Sequence, residues 1–191
     1  MLKSLIFIIF FSFNSLLMAQ QTYLALGDSY TIGEGLDLED SWPFQLTKLL
    51  NEKGFNFNPP QIIAKDGWQT DELIIAIDEE LKDHKKFDMV SLLIGVNNQY
   101  DEEPFDKYKR EFKKLLETAI SKCKYENKAV FVLSIPDYGM TPFAKDKRKT
   151  NAIEDLKRYN KFAKKQCQKH NIRFYDITDL SVELNKIDNM L

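Results

Sequence analysis

"YLALGDSYTIGEG", Tyr23 to Gly35, decides how the chain is read. It opens as an apolar run and then turns through Gly27, Asp28, Ser29 and Tyr30. Two more glycines, Gly33 and Gly35, follow. A short, nearly continuous apolar run suits a strand buried on both faces. Ser29 therefore stands where a buried strand comes to the surface, among residues that let the backbone turn sharply.

Working outward, four more apolar runs follow the first, which spans Thr22–Leu26. They are Gln61–Ala64, Met89–Ile94, Ala129–Ile135 and Ile172–Tyr175. Helical patterns lie between them. Trp42, Leu46, Leu49 and Leu50 share one face, and so do Leu73, Ile74, Ile77 and Leu81. A third face holds Tyr108, Phe112, Leu115, Leu116 and Ala119; a fourth holds Ile153, Leu156, Ala163 and Cys167. Ser41 is the expected N-cap of the first helix, with Pro43 in its first turn, and Thr70 precedes Asp71 and Glu72 in the same role for the second. The β-α-β order implies an α/β protein: a doubly wound three-layer α/β/α fold on a parallel five-stranded sheet. No linker or repeat divides it. The stretch "AKDKRKTN", Ala144 to Asn151, reads as a solvated loop.

The ends of the chain read differently. "MLKSLIFIIFFSFNSLLMAQQ" has Lys3, an apolar run from Leu5 and then Ala19, the pattern of a signal peptide cleaved near residue 19. Ser12, Asn14 and Ser15 interrupt the run, so it makes a poor membrane span. The reading is an exported protein, periplasmic or secreted, with residues 20–191 as one domain and no stable span after cleavage. The 191 residues carry 27 Lys+Arg against 29 Asp+Glu, and a net charge of -2 lacks the basic excess of a nucleic-acid partner. Cys123 and Cys167 lack metal-ligand spacing, so no metal or other cofactor is expected. In an oxidising compartment the two are expected either to pair or to stay free.

Three polar loops follow strands at the C-terminal edge of the sheet, where doubly wound folds bind ligands. They are "GDSYTIGEG", "KDGWQT" and "IGVNNQY". Ser29 offers a nucleophile that needs an adjacent base. Gly67 offers a backbone N–H open to a ligand, and Asn97 a side-chain amide; two such donors form an oxyanion hole. Each has a plainer role. Ser29 can cap a helix, Gly67 can be a turn glycine, and Asn97 can bond its own backbone. Trp68, Tyr100, Tyr138 and Phe143 either line a pocket there or cover the core.

These loops resemble the blocks of the SGNH, or GDSL-like, hydrolase family of esterases and lipases, whose fold is flavodoxin-like. "GDSYTIGEG" is similar to the block carrying the nucleophile, here Ser29. "KDGWQTDEL" is similar to the block whose Gly donates an N–H, here Gly67. "LLIGVNN" is similar to the G-x-N-D block, whose Asn completes the oxyanion hole, here Asn97; Asn98 replaces the usual Asp, with a mild effect expected. The resemblance runs from Tyr23 to about Asp179. It implies a serine esterase acting on small acyl esters, lysophospholipids or acetylated sugars. The family's last block, Asp-x-x-His, is missing. His84 and His170 both precede strands, which places them at the edge opposite Ser29, and Asp176 alone cannot replace an imidazole. The expectation is therefore either a chain truncated before its base and before the helix that follows strand five, which the intact blocks favour, or a derelict copy. The alternatives are a catalytically impaired carbohydrate-binding protein and a flavodoxin-like module binding phosphate or flavin.

Overall fold

The computed structural model describes residues 19–82, 85–139 and 152–188. The expected signal peptide up to residue 18, His84, Phe143 and the expected loop at 144–151 lie outside them. Five parallel strands form one sheet in the order β2-β1-β3-β4-β5. They are β1 (Tyr23–Asp28), β2 (Gln61–Lys65), β3 (Met89–Leu93), β4 (Val130–Leu133) and β5 (Arg173–Tyr175). Every one of the five expected runs is a strand. All six residues of β1 are buried, because strands flank it on both sides and helices cover both faces.

Four helices coincide with the expected patterns: α2 (Trp42–Glu52), α3 (Thr70–Glu80), α5 (Phe105–Lys122) and α6 (Ala152–Lys169). The stripe on α5 is the clearest case. Tyr108, Phe112, Leu115, Leu116 and Ala119 recur at helical spacing and all are buried. With α3 and α6 they cover one sheet face around Leu24, Leu26, Leu92 and Val132. On the other face α2 lays Trp42, Leu46 and Leu50 against Tyr23 and Ala25. Leu49, placed on that buried face by the sequence, is instead 54% exposed, because it lies toward the solvent side of the turn. A row of aromatic contacts runs from Trp42 through Tyr23 and Phe131 to Tyr175, where cover ends and the last ring is 47% exposed.

Several local expectations are corrected. Two one-turn helices occur in the polar loops, α1 (Ser29–Ile32) and α4 (Val96–Tyr100). A helix does follow strand five: α7 (Thr178–Asp188). Ser41 occupies the N-cap of α2, but its hydroxyl donates backward to the Leu38 carbonyl at 2.7 Å and caps nothing. The N-cap of α3 is Gln69, in a capping box with Glu72, and Thr70 is the first helical residue. Cys123 and Cys167 are both buried free thiols.

Candidate active site

Strand β1 lies between β2 and β3, so successive connections leave it in opposite directions and a crevice opens at its C-terminal end. The register pairs Asp28 with Lys65 and Gly27 with Leu93. Ser29, one residue beyond β1, is thus level with the Asp66–Gly67 turn on one side and the Ile94–Gly95 turn on the other. Gly67 lies two residues beyond β2 and Asn97 four beyond β3. The three expected residues share one edge.

Ser29 begins α1, but it does not cap it. The cap is Asp28, whose carboxylate accepts from the Tyr30 N–H at 3.1 Å. Gly33 closes the single turn in the left-handed conformation (φ 69°), its N–H donating to the Ser29 carbonyl. That leaves the half-buried Ser29 hydroxyl without a hydrogen bond to any described residue. Gly27 is required by space: a Cβ there would lie 2.5 Å from the Leu93 carbonyl oxygen and overlap Thr31.

Gly67 is a turn glycine in the left-handed region (φ 78°), and nothing lies within 4 Å of where its Cβ would be. Turn geometry and open approach therefore hold together at this residue. Asn97 does not bond its own backbone. Its amide donates to the Trp68 carbonyl across the neighbouring loop at 2.9 Å, which uses one of its two N–H bonds.

The two residues after Asn97 are also tied to other loops, a role the sequence did not reveal. Buried Asn98 accepts from the Thr70 N–H at 3.1 Å and donates to the Thr70 hydroxyl at 2.9 Å. The Thr70 hydroxyl in turn donates to Glu111. A carboxylate in place of Asn98 cannot donate to Thr70, so the departure from the family's Asp fits its surroundings. Gln99 accepts from the Tyr138 hydroxyl at 2.6 Å. Tyr138 is buried, so it belongs to the core, while Trp68 and Tyr100 are half-buried at its margin.

Asp28 is the site residue that sequence reading missed. It is wholly buried and one oxygen, Oδ2, has no hydrogen-bond partner. Burial pushes its pKa up to about 7; the amides of Tyr30, Gly95 and Asp28 itself offset part of the shift, and the charge of Asp66 adds to it. The available signal was an acidic residue continuing a fully apolar strand.

Of the two histidines, only His170 is described. It follows α6 and precedes β5, so it sits at the opposite edge from Ser29, as expected. Asp176 is at the correct edge, directly after β5. Partial burial would raise its pKa, but hydrogen bonds from Thr178 and the Ser134 hydroxyl prevail and hold it below the usual range. Among the described residues there is no cluster of three or more His, Cys, Asp or Glu side chains able to hold a metal ion. No described helix is long and apolar enough to cross a membrane.

The sequence model of the GDSL-like lipase/acylhydrolase family matches residues 25–189. The chain belongs to this family. Similar folds occur in TesA (TM-score 0.61, 17% identity, 81% of this chain and 77% of that one). They occur also in AlinE4, an SGNH-hydrolase family esterase (0.62, 17%, 88% and 80%). A third is Axe2, an acetylxylan esterase from Geobacillus stearothermophilus (0.67, 17%, 87% and 80%). No curated protein matches the chain. As a GDSL-like hydrolase the chain is an ester-bond hydrolase by family, and its five-stranded parallel sheet is the fold of these neighbours.

Proposed function

We propose that the protein is an exported serine esterase acting on small acyl esters, with Ser29 as nucleophile. The observation that carries this is the Ser29 hydroxyl at the sheet edge: the adjacent Asp28 does the capping, and the hydroxyl makes no hydrogen bond to a described residue. In the reaction Ser29 Oγ attacks the ester carbonyl carbon while its proton passes to a base. The carbonyl oxygen becomes an oxyanion, received by the Gly67 N–H and by the N–H of Asn97 that Trp68 does not use. Collapse expels the alcohol, which takes the proton, and water then releases the acyl group by the same steps in reverse roles. The base is not found among the described residues at this edge, because the one described histidine, His170, lies at the opposite edge. Acetylated sugars, the substrate class named for Axe2, are the small-acyl esters that head the list.

The test is labelling with a fluorophosphonate, located by mass spectrometry, on the chain with and without an added Asp-x-x-His segment. A label on Ser29 that depends on the segment, and p-nitrophenyl acetate turnover abolished by Ser29→Ala, are expected. A label on another residue sinks the assignment. No label in either chain, together with sugar binding, favours a non-catalytic carbohydrate-binding protein.

A further inference from the structure

A cavity of about 530 Å³ lies between α5 and α6, and Ser29 is not among its lining residues. Its lining is Asp106, Lys109, Arg110 and Lys113 from α5, and Phe162, Lys165, Gln166 and Lys169 from α6. Both sets follow the spacing i, i+3, i+4, i+7, so each is one continuous helix face and the two faces meet across the cavity.

The charge there is one-sided. Five cations surround one carboxylate, and that carboxylate, Asp106, is already paired with Lys109. Arg110, Lys113, Lys165 and Lys169 form no ion pair with any described residue, although Arg110 feels the Asp106 charge. Yet the whole chain has a net charge of -2, so these cations are concentrated against the overall balance. Like charges placed face to face on packed helices repel, and a groove lined by one sign of charge focuses its field on a counter-ion.

A second observation points the same way. Gln166 is only 4% exposed, lines the cavity, and its side-chain amide has no hydrogen-bond partner among the described residues. The amide is not sealed from solvent, so it can donate into the cavity. Phe162 supplies an apolar wall beside it. Cations, one amide donor and an apolar wall together suit a compact anion carried on an apolar stem.

We propose that the α5–α6 groove is a binding site for a phosphate group, held by Arg110, Lys113, Lys165 and Lys169 with Gln166 as an added donor. The phosphate comes either from the headgroup of an anionic phospholipid or from a soluble phosphate. This site is independent of the ester chemistry at Ser29.

The experiment uses the full chain in low salt. Pyrophosphate binding is read by calorimetry, and vesicle binding by co-sedimentation with phosphatidylglycerol or, as a control, phosphatidylcholine. Lys113→Glu with Lys169→Glu is the test variant; both side chains are outside the core, and circular dichroism checks that it folds. Loss of about fivefold in affinity per cation removed, so roughly 25-fold or more for the pair, is expected. Gln166→Leu keeps every charge and is expected to weaken binding without changing its salt dependence. Binding to phosphatidylglycerol vesicles alone identifies a lipid headgroup, and binding to pyrophosphate identifies a soluble ligand. Binding to neither, or binding that survives the double charge reversal, overturns the proposal.

Discussion

The side-chain amide of Asn97 is bonded to the backbone carbonyl of Trp68, 29 residues away, at 2.9 Å. This bond joins the loop after β3 to the loop after β2, and so fixes Asn97 relative to the Gly67 turn. An amide has two N–H bonds. One positions the side chain; in the proposed reaction the other meets the oxyanion.

Asn97→Ala removes both. In the turnover-competent protein kcat is expected to fall roughly 10²–10³-fold with little change in KM, as for loss of one oxyanion donor. Steady-state kinetics on p-nitrophenyl acetate checks this. A loss below about fivefold would show that the amide serves only the Trp68 bond.

Asn98→Asp, which restores the family's usual residue, is expected to destabilise this protein by about 1–3 kcal/mol. The new carboxylate would face a Thr70 hydroxyl whose proton already goes to Glu111. Adding Glu111→Gln supplies an amide donor to Thr70 and should recover part of the loss. Urea unfolding of the single and double variants measures the coupling; equal stability of Asn98→Asp and the parent contradicts the network.

Asp28 sets a pH dependence. Its folded pKa, about 7, is above the ordinary value of 3.8, so the folded state holds a proton that the unfolded state has released. Its stabilising effect is complete below about pH 4 and is lost as pH rises through about 7. The shift corresponds to roughly 4 kcal/mol between those limits. Asp28→Asn keeps an acceptor for the Tyr30 N–H and removes the titration. The variant should therefore match the parent near pH 4 and exceed it in stability at pH 8. Unfolding curves at the two pH values decide; a constant difference between parent and variant excludes Asp28 as the titrating group.

Cys123 and Cys167 are fully buried. Burial raises both thiol pKa values, that of Cys167 to about 12, which suppresses the reactive thiolate. Ellman's reagent should find almost no reactive thiol in the folded protein and two after unfolding. None after unfolding would mean that the pair had oxidised.

The sequence alone determined the α/β class, the five strands, the four long helices and the edge that carries Ser29, Gly67 and Asn97. Those features are written locally. Whether a residue is buried repeats with the period of its own helix or strand, and a turn glycine is needed by its own backbone. Short helices escaped because one turn, as in α1 and α4, has too few residues to show a period. Adjacent residues of similar polarity were also not separable: Asp28 rather than Ser29 caps α1, and Gln69 rather than Thr70 caps α3. Partner choice was decided only by tertiary structure. Asn98 finds Thr70 across 28 residues, Thr70 finds Glu111 across 41, and the cations of α5 meet those of α6. A hydrogen bond needs its donor and acceptor within about 3 Å, and only packing of the elements sets that register. For the same reason the position of Leu49 and the separate fates of the two cysteines were settled by how α2, α5 and α6 lie on the sheet.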